Sequence, residues 1–402
     1  MCAFAFVSLA LLAPASALAA GGGVSASGAR AAALADAVTA RSGGAEALAS
    51  NPASMASLEG PTLSLSAQAG RIDMRFARQG EAAEDLGRDV SGFTAAFGAP
   101  VIGGLILGGV VYLPAGHLLK IRASDRVDDP VAPLYGDRLD HVSATFGAAL
   151  AIAGWGGLGA GVTLAPDLAA PTKVRYEPGR GKSVDDNVVL HIDRQLDMRA
   201  SLLLGARVTP ADGWAIGLAW RNPVTSRAFG TNDTEAGALV VRDDIDFFEF
   251  FSPEEIAAGI RMPMGDGSVS LDVVHARWSE FRTIHNESPP TKFDDTQAYR
   301  VGGEWPVGDG LVLRVGWAFE GSPVPPQILE TNFLDADRQV LAAGIGVRPT
   351  QALAVDLHMR THLLAEQKAD KAPITGPIDN LGYPGFTSTG QWWEAGITVT
   401  LR

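Results

Sequence analysis

Two neighbouring runs, 311–320 and 339–347, place apolar side chains at every second position. In the first, Leu311, Leu313, Val315, Trp317 and Phe319 alternate with Val312, Arg314, Gly316, Ala318 and Glu320. In the second, Gln339, Leu341, Ala343, Ile345 and Val347 alternate with Val340, Ala342, Gly344 and Gly346. Period-two alternation defines strands with two unlike faces, here one greasy and one small with scattered charge. A soluble sandwich would bury the greasy face. A transmembrane barrel turns it toward lipid and lines its lumen with the other.

The ends and the composition favour the membrane. An apolar run from Ala3 to Leu12 leads into Ala17-Leu18-Ala19, an A-x-A cleavage pattern. Residues 1–19 therefore read as a secretory signal peptide, although no basic residue precedes the run. The run is too short to span a bilayer, which takes about 20 apolar residues. The single cysteine, Cys2, falls in this leader, so disulfides cannot stabilise the exported chain. No other segment reaches the length of a spanning helix, so the 47% hydrophobic content has to sit in alternating strands. A net charge of −13 argues against nucleic acid or anionic lipid as a partner and suits loops outside a cell.

Tight turns at 211–213, 265–267 and 308–310 (Ala-Asp-Gly, Gly-Asp-Gly, Gly-Asp-Gly) separate alternating runs, while longer polar connections join the other ends. Short turns on one side and long loops on the other mark outer-membrane barrels. Strands are expected near 61–78, 91–100, 104–120, 138–153, 157–166, 197–209, 213–229, 252–264, 268–285, 297–307, 311–324, 335–349, 352–366 and 390–402, fourteen in all. Charges keep to one face. Trp214, Ile216, Leu218 and Trp220 oppose Ala215, Gly217, Ala219 and Arg221; Leu353, Val355, Leu357 and Met359 oppose Asp356, His358, Arg360 and His362. A charge on the lipid face costs about 2–4 kcal/mol at mid-depth, which explains the segregation. The expected fold is all-β: a 14-stranded antiparallel transmembrane barrel over 61–402.

Residues 20–60 do not alternate. They are Ala-rich, with Leu34, Val38 and Leu48 at the spacing of short helices, and Asn51-Pro52 would stop the second helix. Composition leaves two readings open, a disordered periplasmic tail or a small hatch in the barrel mouth.

Three pieces resemble the outer-membrane long-chain fatty acid transporter family, which includes aromatic-hydrocarbon channels. Ser50-Asn51-Pro52-Ala53 resembles its hatch motif. Gly316 to Pro325 followed by Asp335-Ala336-Asp337-Arg338 resembles a late strand–loop–strand signature. Ser252-Pro253, Ala258-Gly259, Asp272 and Trp278-Ser279-Glu280-Phe281 resemble the central hairpin. Together they run over nearly the whole exported chain. One departure is the end, Thr400-Leu401-Arg402, where the family commonly carries an aromatic residue.

The resemblance implies that residues 20–60 are a hatch in the lumen, with Asn51, Pro52 and Ala53 as its hinge or anchor. It also implies capture of hydrophobic ligands between long loops, an inner pocket, and sideways exit at a kink in the third strand. Pro114-Ala115-Gly116 is the candidate kink, since proline cannot donate to a strand ladder. Loop 230–252 holds Phe247, Phe248, Phe250 and Phe251. These either form a capture groove with loop 167–196 or pack the loop onto the rim. Lumen-facing Arg199, Arg207, Arg300, Arg314 and Arg360 can meet a ligand carboxylate or pair with acids such as Glu304, Glu320 and Asp356; Arg199 and Arg314 are the candidate ligand contacts.

The partners expected are a fatty acid or hydrocarbon and the outer-membrane lipid, with one closed barrel sufficient as a monomer. No catalytic site, metal or cofactor is expected. Gly179 to Ser183 ends like a phosphate loop, but Tyr176 stands where its first glycine is needed. Gly157 to Gly161 lies in a strand, without the setting of a dinucleotide site. His358 and His362 share a face but lie about 13 Å apart, too far to share a metal. The alternatives are a porin for polar solutes and, further off, a barrel lipid hydrolase.

Overall fold

Fourteen strands form the wall of the computed structural model, which describes residues 28–116, 141–176, 188–236, 239–283, 287–289, 291–325, 333–371 and 383–402. The leader read over 1–19 lies outside them. The wall strands are β1 (Thr62–Arg78), β2 (Arg88–Ile102), β3 (Leu105–Pro114), β4 (Ser143–Ile152), β5 (Gly156–Ala169), β6 (Gln195–Val208) and β7 (Ala215–Arg221). They continue as β8 (Glu255–Met264), β9 (Gly267–Ala276), β10 (Thr296–Val307), β11 (Leu311–Glu320), β12 (Arg338–Val347), β13 (Leu353–Leu364) and β14 (Gly385–Leu401). Each pairs antiparallel with the next. The ring closes where β1 meets β14, from Leu63↔Leu401 to Arg78↔Phe386. Closure leaves no unpaired edge in the wall, which a bilayer requires.

The alternation resolves as a barrel. On β11 and β12, Leu313, Val315, Leu341 and Ile345 are exposed on the outside, while Arg314, Ala318, Glu320, Val340 and Ala342 are buried inside. Trp155 and Trp214 stand exposed at the tight-turn end, and Phe93, Tyr299 and Trp393 toward the loop end. These are two aromatic girdles bounding the lipid band. Gly265 and Gly308 adopt φ of 60° and 63°, which short turns of this kind demand. The C-terminal strand keeps its lipid face through Ile397 and Leu401.

Several strand ends differ from the sequence expectation. The run 213–229 divides at Asn222-Pro223, because Pro223 offers no N–H to a ladder. Its first part is β7; its second opens a long hairpin, Val224–Ala236 with Leu239–Ser252. The region 230–252, read as a polar loop, is thus largely strand. The run 268–285 stops at Ala276 and turns into the 3₁₀ segment Trp278–Glu280. The run 104–120 is continuous strand only to Pro114.

Residues 28–57 lie within the ring as a hatch: a short helix, Gly28–Ala32, then the 3₁₀ turns Ala45–Ala49 and Pro52–Ser57. Leu34 and Leu48 are fully buried and Val38 half-buried. Asn51 does more than end a turn. It caps the following one, with Pro52 at the first position, where a missing N–H costs nothing.

Candidate functional site

Close backbone approach seats the hatch. A Cβ on Gly159 would lie 2.5 Å from Ala53 N, and one on Gly205 would lie 2.0 Å from Asn51 Oδ1. Gly157, Gly217, Gly302, Gly316 and Gly344 meet other hatch atoms in the same way. The small lumen face of the alternating strands is therefore a collar cut to the hatch, and larger residues there would expel it.

Polar contacts tie the hatch mainly to one side of the ring. Glu304 on β10 accepts from Nε and Nη2 of Arg30, each at 3.0 Å, from Arg314 at 2.6 Å and from Arg41 at 3.5 Å. Arg314 also meets Asp356 at 2.7 Å. On β13, Arg360 reaches Asp36 of the hatch at 2.8 Å and Glu394 at 2.6 Å. Asp272 accepts from Thr39 N at 2.8 Å, and Arg207 donates to Ala40 O at 2.9 Å. Arg221 donates to Ala49 O.

Asn51 joins three segments. Its Oδ1 accepts from Ala53 N at 3.1 Å; its Nδ2 donates to Thr39 O at 2.7 Å and to Ala206 O of the wall at 3.2 Å. The side chain is fully buried. Asn51→Ala removes all three bonds and strands buried polar groups, each worth about 1–3 kcal/mol. The expected outcome is a loosened hatch and slower oleate uptake, with an unchanged folded band on unheated gels. Uptake at the wild-type rate would remove Asn51 as the anchor.

The opposite side of the lumen is apolar. Ile72, Met74 and Phe76 of β1, Val90 of β2, Ile106, Val110 and Tyr112 of β3, and Trp392 and Phe386 of β14 form one buried cluster with Leu334. Leu48 and Met55 of the hatch join it from below. Sequence reasoning missed this wall, although β1 carries the signal. Its outward residues run Leu63, Leu65, then Arg71, Asp73, Arg75, while its inward residues run Ser64, Ser66, then Ile72, Met74, Phe76. The polarity of the alternation inverts near Gly70, where the strand leaves the lipid band. β3 goes further and is apolar on both faces: Ile106, Gly108, Val110, Tyr112 and Pro114 inward, Leu105, Leu107, Gly109, Val111 and Leu113 outward.

The candidate kink lies at the loop end of β3. The β2–β3 ladder runs to Gly92↔Pro114, but the β3–β4 ladder ends at Tyr112↔Ser143. Ala115 N donates to Ser91 O at 2.9 Å, so alternate residues of β3 address β2 and Pro114 turns its nitrogen toward β4. The donor missing from proline is thus missing on the β4 side. Gly116 follows at φ 86°.

Above the wall, the segments 167–196 and 230–252 meet. Val224–Ala236 runs parallel to Thr172–Tyr176, which pairs with Val188–Ile192. One row across this outer sheet is Val241, Thr234, Val174 and Leu190, with Tyr176 two residues on and on the same face. Tyr176, Leu190 and Val241 are exposed. The other face is ionic, with Arg175–Glu235 at 2.9 Å and Arg242–Asp233 at 2.6 Å. A cleft of about 610 Å³ at the foot of the hairpin is lined by Asp167, Arg199, Arg227, Phe229 and Asp244.

Of the candidate ligand contacts, Arg199 lines this cleft and is held by Asp167 at 2.8 Å. Arg314 is buried among Glu304 and Asp356 beside the hatch, away from the apolar wall. Arg300 pairs with Glu320 at 3.5 Å. Phe251 packs on the rim against Trp278 and Phe281, each 5.8 Å away, in a cluster with Phe293 and Phe333. The side chains of Phe247, Phe248 and Phe250 lie outside the described residues. Among the described residues, no three potential metal ligands gather.

This geometry, a lipid-girdled ring closed on a seated hatch, defines an outer-membrane barrel with its lumen occupied. Residues 183–375 match the family model of the outer membrane protein transport proteins (OMPP1/FadL/TodX), which the chain resembles. The crystal structure of a Pseudomonas aeruginosa FadL homologue superposes with a TM-score of 0.68 at 16% identity, covering 96% of this chain and 99% of that one. The P. putida toluene transporter TodX gives 0.61 at 15% identity, covering 93% and 98%. The Ralstonia pickettii toluene transporter TbuX gives 0.55 at 14%, also covering 93% and 98%. At such identities the likeness establishes the fold. No curated protein matches the sequence significantly.

Proposed function

We propose that this chain admits hydrophobic small molecules, long-chain fatty acids or related compounds, through the outer membrane. They are captured on the apolar face of the outer sheet, pass down the apolar wall, and leave sideways beside β3. The observation that carries this reading is β3 itself: apolar on both faces, next to the apolar lumen cluster, with its ladder to β4 ending before Pro114. A greasy ligand there passes from lumen to lipid without meeting a charge. Each methylene buried on the way is worth about 0.8 kcal/mol, so a long chain is held without a specific contact. Support for passage of hydrophobic compounds also comes from the relatives above, two of which are toluene transporters.

The test is uptake of radiolabelled oleate by cells that lack their own fatty acid channel and express this chain. Saturable uptake above the empty-vector level is expected; none would end the proposal. Leu190→Ser with Val241→Ser removes two of the four apolar side chains on the face of the outer sheet that carries Val174 and Tyr176. Uptake is then expected to fall about tenfold at low oleate, from the two apolar burials lost, and to converge on wild type near saturation. Equal curves would move capture elsewhere.

A further inference from the structure

We infer that His362 and Trp392 form a head-group reader at the foot of the apolar wall, which selects amphiphiles bearing a hydrogen-bond acceptor, carboxylates above all, over bare hydrocarbons. The inference rests on the transport reading above and names the ligand class of that same path.

On β14 and β1 the lumen lining changes character at one level. Climbing β14, the inward residues run Glu394, Trp392, Gly390, Ser388 and Phe386; on β1 they run Gly70, Ile72, Met74 and Phe76. Below lies the ionic network that holds the hatch, and above lies the apolar cluster. His362 and Trp392 sit on this boundary, paired across β13 and β14, with ring centroids 4.3 Å apart and planes within 13°. Both are buried, at 4% and 8% exposure.

Their polar atoms take no hydrogen bond from the described residues. Trp392 Nε1, His362 Nδ1 and His362 Nε2 are all buried without a partner. An indole nitrogen only donates, and a neutral imidazole has one donor and one acceptor. Stranding such groups is costly, so a pair of them at the polar end of an apolar path is matched by a ligand with an apolar body and an acceptor head. A carboxylate head accepts a charge-assisted hydrogen bond from such a donor, shorter and roughly twice as strong as a neutral one. The nearby Arg360 and Arg338 are held by Glu394 and Glu320 at 2.6 and 2.7 Å, so their charge is compensated and the direct contacts are left to the two rings. A bare hydrocarbon would fill the wall equally well and leave the donors orphaned.

The experiment measures binding of oleate, oleyl alcohol and 1-octadecene to the full protein in lipid nanodiscs, for wild type and Trp392→Phe. Phenylalanine keeps an aromatic six-membered ring and removes the donor with the pyrrole half of the indole, so the octadecene measurement serves as the control for lost packing. Wild type is expected to bind oleate at least about tenfold more tightly than octadecene, the gain from a charge-assisted hydrogen bond. Trp392→Phe is expected to weaken oleate and the alcohol about fivefold and leave octadecene unchanged. Equal loss for all three ligands would mean that Trp392 only packs, and equal wild-type affinity for oleate and octadecene would overturn the inference even if the variant failed to fold. Binding of none of the three would instead remove the transport reading, and this inference with it.

Discussion

Glu304→Ala is expected to unseat the hatch while the wall stays closed. Among the described residues, Glu304 is the one carboxylate that meets both Arg30, at 3.0 Å, and Arg41, at 3.5 Å, and it also holds Arg314 at 2.6 Å. Its removal leaves three guanidinium groups facing one another, with Asp356 still compensating Arg314. Breaking a buried pair by deleting one partner typically costs about 3–5 kcal/mol, because the stranded charge remains. The wall does not depend on this carboxylate, since its fourteen ladders are backbone bonds. In planar bilayers the variant should show steady conductance steps that wild type lacks, and protease added from the turn side should cut the hatch. A silent channel with a protected hatch would show that the glycine collar and Asn51 seat it unaided.

The barrel was legible because its cause is local. Lipid on one side and lumen on the other impose period two on every strand, and fourteen such runs can be counted without knowing any long-range contact. Strand ends were less legible. Pro223 and the 3₁₀ turn at Trp278–Glu280 interrupt runs whose apolar pattern carries on past them. The hatch contacts were not legible at all. Nothing in spacing relates Arg30 to Glu304 or Asp36 to Arg360, which lie 274 and 324 residues apart. The pairing of lumen arginines with Glu304, Glu320 and Asp356 followed from charge balance, but the hatch as the third member of that network did not.

The apolar wall escaped for a different reason. A strand taller than the bilayer passes through two solvents, and its alternation inverts as it leaves the lipid. Taken in a single phase, β1 has one greasy face; taken in two halves, its upper inward face of Ile72, Met74 and Phe76 becomes visible. The aromatic run of the hairpin drew attention because phenylalanines in a polar stretch stand out, yet Phe251 serves to pack the rim. The apolar capture surface instead comes from Val174, Tyr176, Leu190 and Val241, which are far apart in sequence and share a face only once the outer sheet is formed.

Val110→Asp tests the path at its narrowest argument. Val110 is buried on the inner face of β3, between Ile106 and Tyr112, in the same cluster as Met55 of the hatch. The wall arginines that pair with carboxylates of the hatch network, Arg314 and Arg360, sit on β11 and β13, while Val110 lies in the apolar cluster, so a carboxylate at 110 is placed among apolar side chains. An unpaired charge in apolar surroundings costs several kcal/mol, and a passing alkyl chain would have to desolvate it. Oleate uptake is expected to fall more than tenfold, consistent with a barrier of at least about 1.4 kcal/mol, while Val110→Leu keeps most of it. The neighbouring change Val111→Asp places the same charge on the lipid face, where about 2–4 kcal/mol is lost from the folded barrel itself. The two variants should therefore fail differently, one folded and impermeable, the other poorly assembled. Wild-type uptake through a folded Val110→Asp barrel would take β3 out of the path, and with it the sideways exit.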